Sequence, residues 1–145
     1  TNQIIMTKIK AKNQELIDLL QSLYTVQDLK GVSFAIAVTK NIDKLQKDLQ
    51  YLEDAAKPTE EFQKIVDKVN TISNTEKDEE LAKTKIAEIE KEHEVLVEER
   101  KAQLDEVAKV LEEEAEIELT TINRNSLPQD ITAKQIGALK KIINL

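Results

Sequence analysis

The chain has 145 residues, a formal net charge of −7, 34% charged and 3% aromatic residues, and no cysteine. Lack of cysteine excludes disulfides and thiolate metal centres and fits a reducing compartment. The acidic balance argues against duplex DNA and anionic membranes as partners, since both are gripped through Lys and Arg clusters. With two glycines and two prolines against a background rich in Ala, Leu, Glu, Lys and Gln, the composition is that of a long-helix protein, because these side chains lose little rotamer freedom in a helix.

No apolar run has the length of a membrane span. Ile4-Ile5-Met6 is too short for the apolar region of a signal peptide and lacks its basic flank, so the cytoplasm is the expected compartment. Residues 4 to 10 are rich in β-branched side chains and predict a short strand. Asn13 is placed to cap a first helix, on which Leu16, Ile17, Leu20, Leu23 and Tyr24 repeat at helical spacing. Val26 to Gly31 forms a connector, with Gly31 the residue most able to take a left-handed turn.

Ala35, Val38, Ile42, Leu45, Leu49, Leu52 and Ala56 then follow at alternating steps of three and four. This heptad seam is how one helix packs along another. Pro58 breaks it near residues 57–58, because proline has no amide to donate and crowds the preceding turn. The seam resumes in a shifted phase with Phe62, Ile65, Val69 and Ile72.

A turn is expected near residues 73–75, with Thr75 and Asp78 resembling a capping box. A second helix from about Glu76 to Ala115 carries Ala82, Ile86, Ile89, Leu96, Leu104, Val107 and Leu111 on its seam, with polar His93, Arg100 and Gln103 near the middle. Each arm is about 40 residues, or roughly 60 Å at helical rise. Equal arms about a short turn imply an antiparallel helical hairpin of coiled-coil type, spanning residues 33–115.

Residues 116 to 122 switch to a period of two, predicting a strand with Ile117, Leu119 and Thr121 on one face. It is expected to pair with the strand at residues 4 to 10, since neither is stable alone. Thr132 and Gln135 form a capping box, and Ile131 and Ile136 its hydrophobic staple. The last helix is expected to reach the C-terminus with Ile136, Leu139 and Ile143 buried. The predicted fold is therefore mainly α (α+β), a single domain over 1–145. Residues 1–32 and 116–145 form a small base with two short paired strands and N- and C-terminal helices, and the long hairpin rises from it.

Signals for catalysis are weak. His93 lies in Lys91-Glu92-His93-Glu94, the opening of a zinc-protease motif, but Val97 stands where the second histidine would be. Glu112-Glu113-Glu114 and Glu116 read as a solvated acidic face, since a calcium loop needs a turn with interleaved ligands and glycine. Two isolated glycines, Gly31 and Gly137, cannot form a phosphate loop. Gly137 within the last helix suggests close packing there, against the base or a partner. Lys8, Lys10, Lys12, Lys140 and Lys141 read as solvated edges, not a nucleic-acid surface. The expectation is a non-enzymatic chain with no catalytic, cofactor or metal residues, acting on a protein partner or a second copy of itself.

Several segments together resemble a group of small uncharacterised proteins encoded by bacteriophages and prophages. They are Val26-Gln27-Asp28-Leu29-Lys30-Gly31-Val32-Ser33-Phe34, Lys57-Pro58-Thr59-Glu60-Glu61-Phe62, Glu98-Glu99-Arg100-Lys101-Ala102-Gln103, and the ending from Glu116-Ile117-Glu118-Leu119 to Leu127-Pro128-Gln129-Asp130-Ile131-Thr132. The resemblance implies a phage-encoded protein of the virion or its assembly, residing in the particle or the host cytoplasm. Two other readings stand beside it: an acidic inhibitor of a host or defence enzyme (of anti-restriction, anti-CRISPR or polymerase-binding type), and a chaperone-like coiled-coil clamp.

Overall fold

The computed structural model describes residues 4–145. The chain is mainly helical with short strands, in the order β1 (Met6–Lys12), α1 (Asn13–Val26), α2 (Val32–Ala56), α3 (Glu60–Thr75), α4 (Glu79–Glu92), α5 (Glu94–Glu112), β2 (Glu114–Thr120), β3 (Ile122–Asn123), α6 (Ala133–Leu139) and β4 (Ile143–Asn144), with single 3-10 turns at Arg124–Ser126 and Lys140–Ile142. No described helix is long and apolar enough to cross a membrane. The chain divides into two compact units. One ends at Tyr51 and resumes over Val110–Leu145, and the other is Leu52–Lys109. The boundaries fall inside α2 and α5.

In the first unit β1 and β2 pair antiparallel, with Ile9 opposite Ile117 and Lys10 opposite Glu116. The period-two pattern turns Ile9, Ala11, Ile117 and Leu119 inward, where they are buried. Lys8, Lys10 and Lys12 of β1 and Glu114, Glu116 and Glu118 of β2 occupy the solvent face. Leu16, Leu20 and Leu23 of α1 and Phe34, Val38, Ile42 and Leu45 of α2 complete the core. The C-terminal end adds Leu139, Ile142 and Ile143. β2 begins two residues earlier than its alternating pattern announces.

Three local expectations are corrected here. Asn13 is not the cap of α1 but its first residue. The cap position is Lys12, whose amide donates to the Glu15 carboxylate at 3.1 Å. Asn13 is instead buried, its carboxamide donating to the Val110 carbonyl at 2.9 Å. The last helix stops at Leu139, and Ile143 lies on β4, paired in parallel with Ile122 of β3. Gly137 is not closely packed against the base, since a Cβ built on it meets nothing within 4 Å.

The α6 start matches its sequence signature. Thr132 Oγ1 accepts the Gln135 amide at 3.1 Å, and Gln135 returns the bond to the Thr132 amide at 2.9 Å. Gly31 adopts φ +125°, the only positive φ among the described residues, and sets the chain direction between α1 and α2.

In the second unit the break at Lys57-Pro58 separates α2 from α3, which is capped by Thr59 accepting the Phe62 amide at 3.1 Å. The turn into α4 lies later than expected, at residues 76–78. Thr75 ends α3, and Asp78 caps α4 by accepting the amides of Glu80 at 3.0 Å and Leu81 at 3.3 Å. An aspartate with free amides ahead of it competes well for the cap position, and it outweighs Thr75, whose hydroxyl turns back to the Thr71 carbonyl. The long helix expected from Glu76 to Ala115 is two helices, α4 and α5, interrupted at His93, which has φ −114° and ψ 34°. α3 and α4 contact each other. Leu52 and Ile65 are buried in this unit, while Ile72, Ile86, Ile89, Leu96 and Val107 are half-buried.

Candidate protein-docking surface

A groove of about 760 Å³ in the first unit is bordered by the N-terminal approach to β1 on one side and the opening turns of α2 on the other. Ile4 and Ile5 form the first wall, held by the Thr121 amide donating to the Ile5 carbonyl at 2.8 Å. Ile36 and Ala37 line the second. Val32, Ile36 and Lys40 recur at four-residue steps and so share one helix face. Ile4, Ile5, Ile36 and Val32 remain 58%, 59%, 50% and 79% exposed, an apolar concentration that water solvates poorly.

The far end of the groove is polar and internally organised. Asn123 Oδ1 accepts the Asn125 amide at 2.8 Å, and the Ser126 hydroxyl donates to the Asn123 carbonyl at 2.7 Å. Asn144 Oδ1 accepts the Arg124 amide at 2.7 Å. The Thr7 and Thr121 hydroxyls are hydrogen-bonded to one another. Lys40 is the one ionisable side chain lining the groove among the described residues. Apolar walls with preset carboxamides at one end suit contact with another protein.

The residues singled out from the sequence lie elsewhere. His93 is half-buried at the α4–α5 junction, its amide donating to the Ile89 carbonyl at 3.1 Å. Arg100 and Gln103 have a clear role. Arg100 Nη1 donates to the Ala56 carbonyl at 2.7 Å, and Gln103 Nε2 donates to the carbonyls of Ala55 and Lys57 at 2.7 and 2.8 Å. These carbonyls lie at the C-terminal end of α2, where helix oxygens lack intrahelical donors and Pro58 can supply none. The Arg100 guanidinium also sits 5.8 Å from the Phe62 ring centroid, within cation–π range.

Three members of the acidic run are drawn into ion pairs with β1. Glu116, Glu114 and Glu112 pair with Lys8, Lys10 and Lys12 at 3.9, 3.6 and 2.9 Å. The Glu112 hydrogen bond raises the Lys12 ammonium above its ordinary pKa. Lys141 pairs with Glu15 at 3.0 Å. That bond, helped by the Lys12 amide, holds the Glu15 carboxyl below its ordinary value. Among the described residues, no group of three or more His, Asp or Glu side chains is arranged to hold a metal ion.

Sequence reasoning missed Ile36 and Val32 as a surface. The available signal was their position off the Ala35–Val38–Ile42 seam, where an aliphatic pair at four-residue spacing has no intramolecular neighbour to expect. No protein-family model, curated protein or solved structure matches this chain.

Proposed function

We propose that the chain is a non-enzymatic protein–protein interaction module, phage-encoded, that serves as a structural or assembly component of a virion. The observation that carries the binding reading is the convergence of exposed Ile4, Ile5 and Ile36 on one groove. Monomeric proteins rarely leave such side chains together without a partner to cover them. The phage origin rests on the sequence resemblance described above.

Within this reading Leu52–Lys109 is an antiparallel helical hairpin of coiled-coil type that presents a second apolar stripe to other copies or to neighbouring components. Support comes from the α3–α4 contact, the Lys85–Glu76 ion pair at 2.8 Å across their turn, and the Arg100 and Gln103 bonds to the end of α2. The half-buried state of Ile72, Ile86 and Ile89 is what a stripe with one neighbour retains.

Quantitative mass spectrometry of purified particles of the encoding phage tests the proposal. The expected result is this protein in defined copy number, lost from the particle by Ile36→Asp without loss of its helical circular dichroism. Absence from particles, with early expression and co-purification of a host enzyme, would sink the virion assignment in favour of an acidic inhibitor.

A further inference from the structure

We propose that the outer edge of β1 is a strand-addition site for an acidic, extended segment of a partner protein. Among the described residues this sheet consists of β1 and β2, and none of them places a strand on the side of β1 away from β2. The ladder shows which backbone groups point that way. Ile5 pairs with Thr121 through the Thr121 amide, and the Asn13 amide donates to the Glu113 carbonyl at 2.9 Å. Hydrogen-bonded pairs alternate along an antiparallel ladder, so the N–H and C=O of Met6, Lys8 and Lys10 face outward. Among the described residues no hydrogen bond reaches these groups, whereas the corresponding outward groups of Thr120 on β2 are both taken by Asn41. Asn41 thus closes the β2 edge at Thr120 and Glu15 closes the β1 edge at Lys12, which leaves the Met6–Lys10 stretch of β1 open.

A groove of about 300 Å³ runs beside this open edge, lined by Ile9 and Ala11 of β1, Glu15, Leu16, Asp18 and Leu19 of α1, and Gly137 and Ala138 of α6, with no described residue of β2. The absence of a side chain at Gly137, unexplained by packing within the chain, leaves this wall open. An added strand would turn alternate side chains into the groove and the others onto the solvent face, beside Lys8 and Lys10.

Charge selects the occupant. Every charged residue of β1 is a lysine, and every charged residue of β2 is a glutamate. A further strand with acidic residues on its solvent face would set a carboxylate row on each side of the lysine row, at favourable cross-strand spacing. Within the groove Lys140 and Lys141 are balanced by Glu15 and Asp18, so the charge selection rests on the Lys8 and Lys10 row. A second copy of β1 docked antiparallel would place lysine against lysine, which is unfavourable. The fitting segment therefore alternates small aliphatic with acidic residues. This surface is separate from the Ile36 groove and stands independently of it.

The test uses the full chain and two short synthetic peptides, one alternating valine with glutamate and one alternating valine with lysine. Binding is read by fluorescence anisotropy, and the site by amide hydrogen exchange. The expected result is preferential binding of the glutamate peptide, with new protection at Met6, Lys8 and Lys10. Lys8→Pro removes an outward amide but no β1–β2 ladder bond, and should weaken binding about tenfold or more. Should that variant unfold, the double change Lys8→Glu with Lys10→Glu still decides, because it should reverse the peptide preference. Equal affinity for both peptides, an unchanged preference after charge reversal, or protection confined to other residues would each overturn the proposal. So would protection at Lys8 and Lys10 that grows with protein concentration without peptide, which would assign the edge to a second copy.

Discussion

The Asn41 carboxamide stands against Thr120 as a third strand would. Its Nδ2 donates to the Thr120 carbonyl at 2.9 Å, and its Oδ1 accepts the Thr120 amide at 2.7 Å. Asn41 is 1% exposed, on the buried face of a helix among Val38, Ile42 and Leu45. A polar group is tolerated there because both of its functions are used, and a peptide edge that faces a helix would otherwise go unpaired.

Replacing Asn41 with leucine, of similar volume, leaves the Thr120 amide and carbonyl without partners. The expected destabilisation is roughly 2–4 kcal/mol, measured by urea unfolding. Asn41→Asp keeps an acceptor for the amide but opposes the carbonyl with a carboxylate. Its burial disfavours the charged form and raises the folded-state pKa above the unfolded one. The variant should thus be most stable in acid, below the unfolded pKa, and lose stability as pH rises through the folded pKa.

The two glycines predict opposite signs. Gly31→Ala meets only ordinary contacts, Phe34 Cβ at 3.7 Å and the Ser126 carbonyl at 3.9 Å. Its cost is therefore conformational, about 1–3 kcal/mol for a side chain held at positive φ. Gly137→Ala enters open space in a helix and should stabilise by about 0.5–1 kcal/mol. Thermal unfolding of the two variants side by side checks both.

Arg100→Met keeps the aliphatic stem and deletes the donor to the Ala56 carbonyl and the charge over Phe62. Loss of a charged donor from a half-buried carbonyl should cost about 1–2 kcal/mol. The loss should be local. Hydrogen exchange should accelerate around residues 55–62, and faster exchange confined to β1 and β2 would contradict the role assigned to Arg100.

Glu76 titrates with a direction set by its neighbours. The Lys85 hydrogen bond, and next the Asp78 amide, hold its carboxyl below the ordinary value of 4.5. A carboxyl lowered in the folded state gives stability that is present above its unfolded pKa and lost as pH falls through the folded pKa. An NMR titration should place the Glu76 midpoint below 4.5, and Lys85→Met should move it upward. A midpoint insensitive to Lys85→Met would refute this cause.

Much of the local structure was legible because it depends on neighbours in sequence. The Thr132–Gln135 box, the end of α2 before Pro58 and the alternation of Ile117 and Leu119 each follow from short-range geometry. Where reading failed, a distant partner had intervened. Asn13 has a good capping side chain, yet the Val110 carbonyl claims it. Ile143 kept its burial but changed its element, because pairing with Ile122 outcompeted another helical turn. The groove was not visible at all, since Ile5 and Ile36 become neighbours only through the sheet and α2.

By itself the order of residues determined the helical character, the break at Pro58 and the inward faces of β2 and α2. Those properties depend on near neighbours along a chain, and sterics and hydrophobicity act on them locally. Tertiary structure decided where the β2 edge closes, through Asn41 meeting Thr120 from 79 positions away. It also decided which aliphatic side chains remain in solvent. Both outcomes depend on what lies across a gap in space, and sequence spacing carries no measure of that distance.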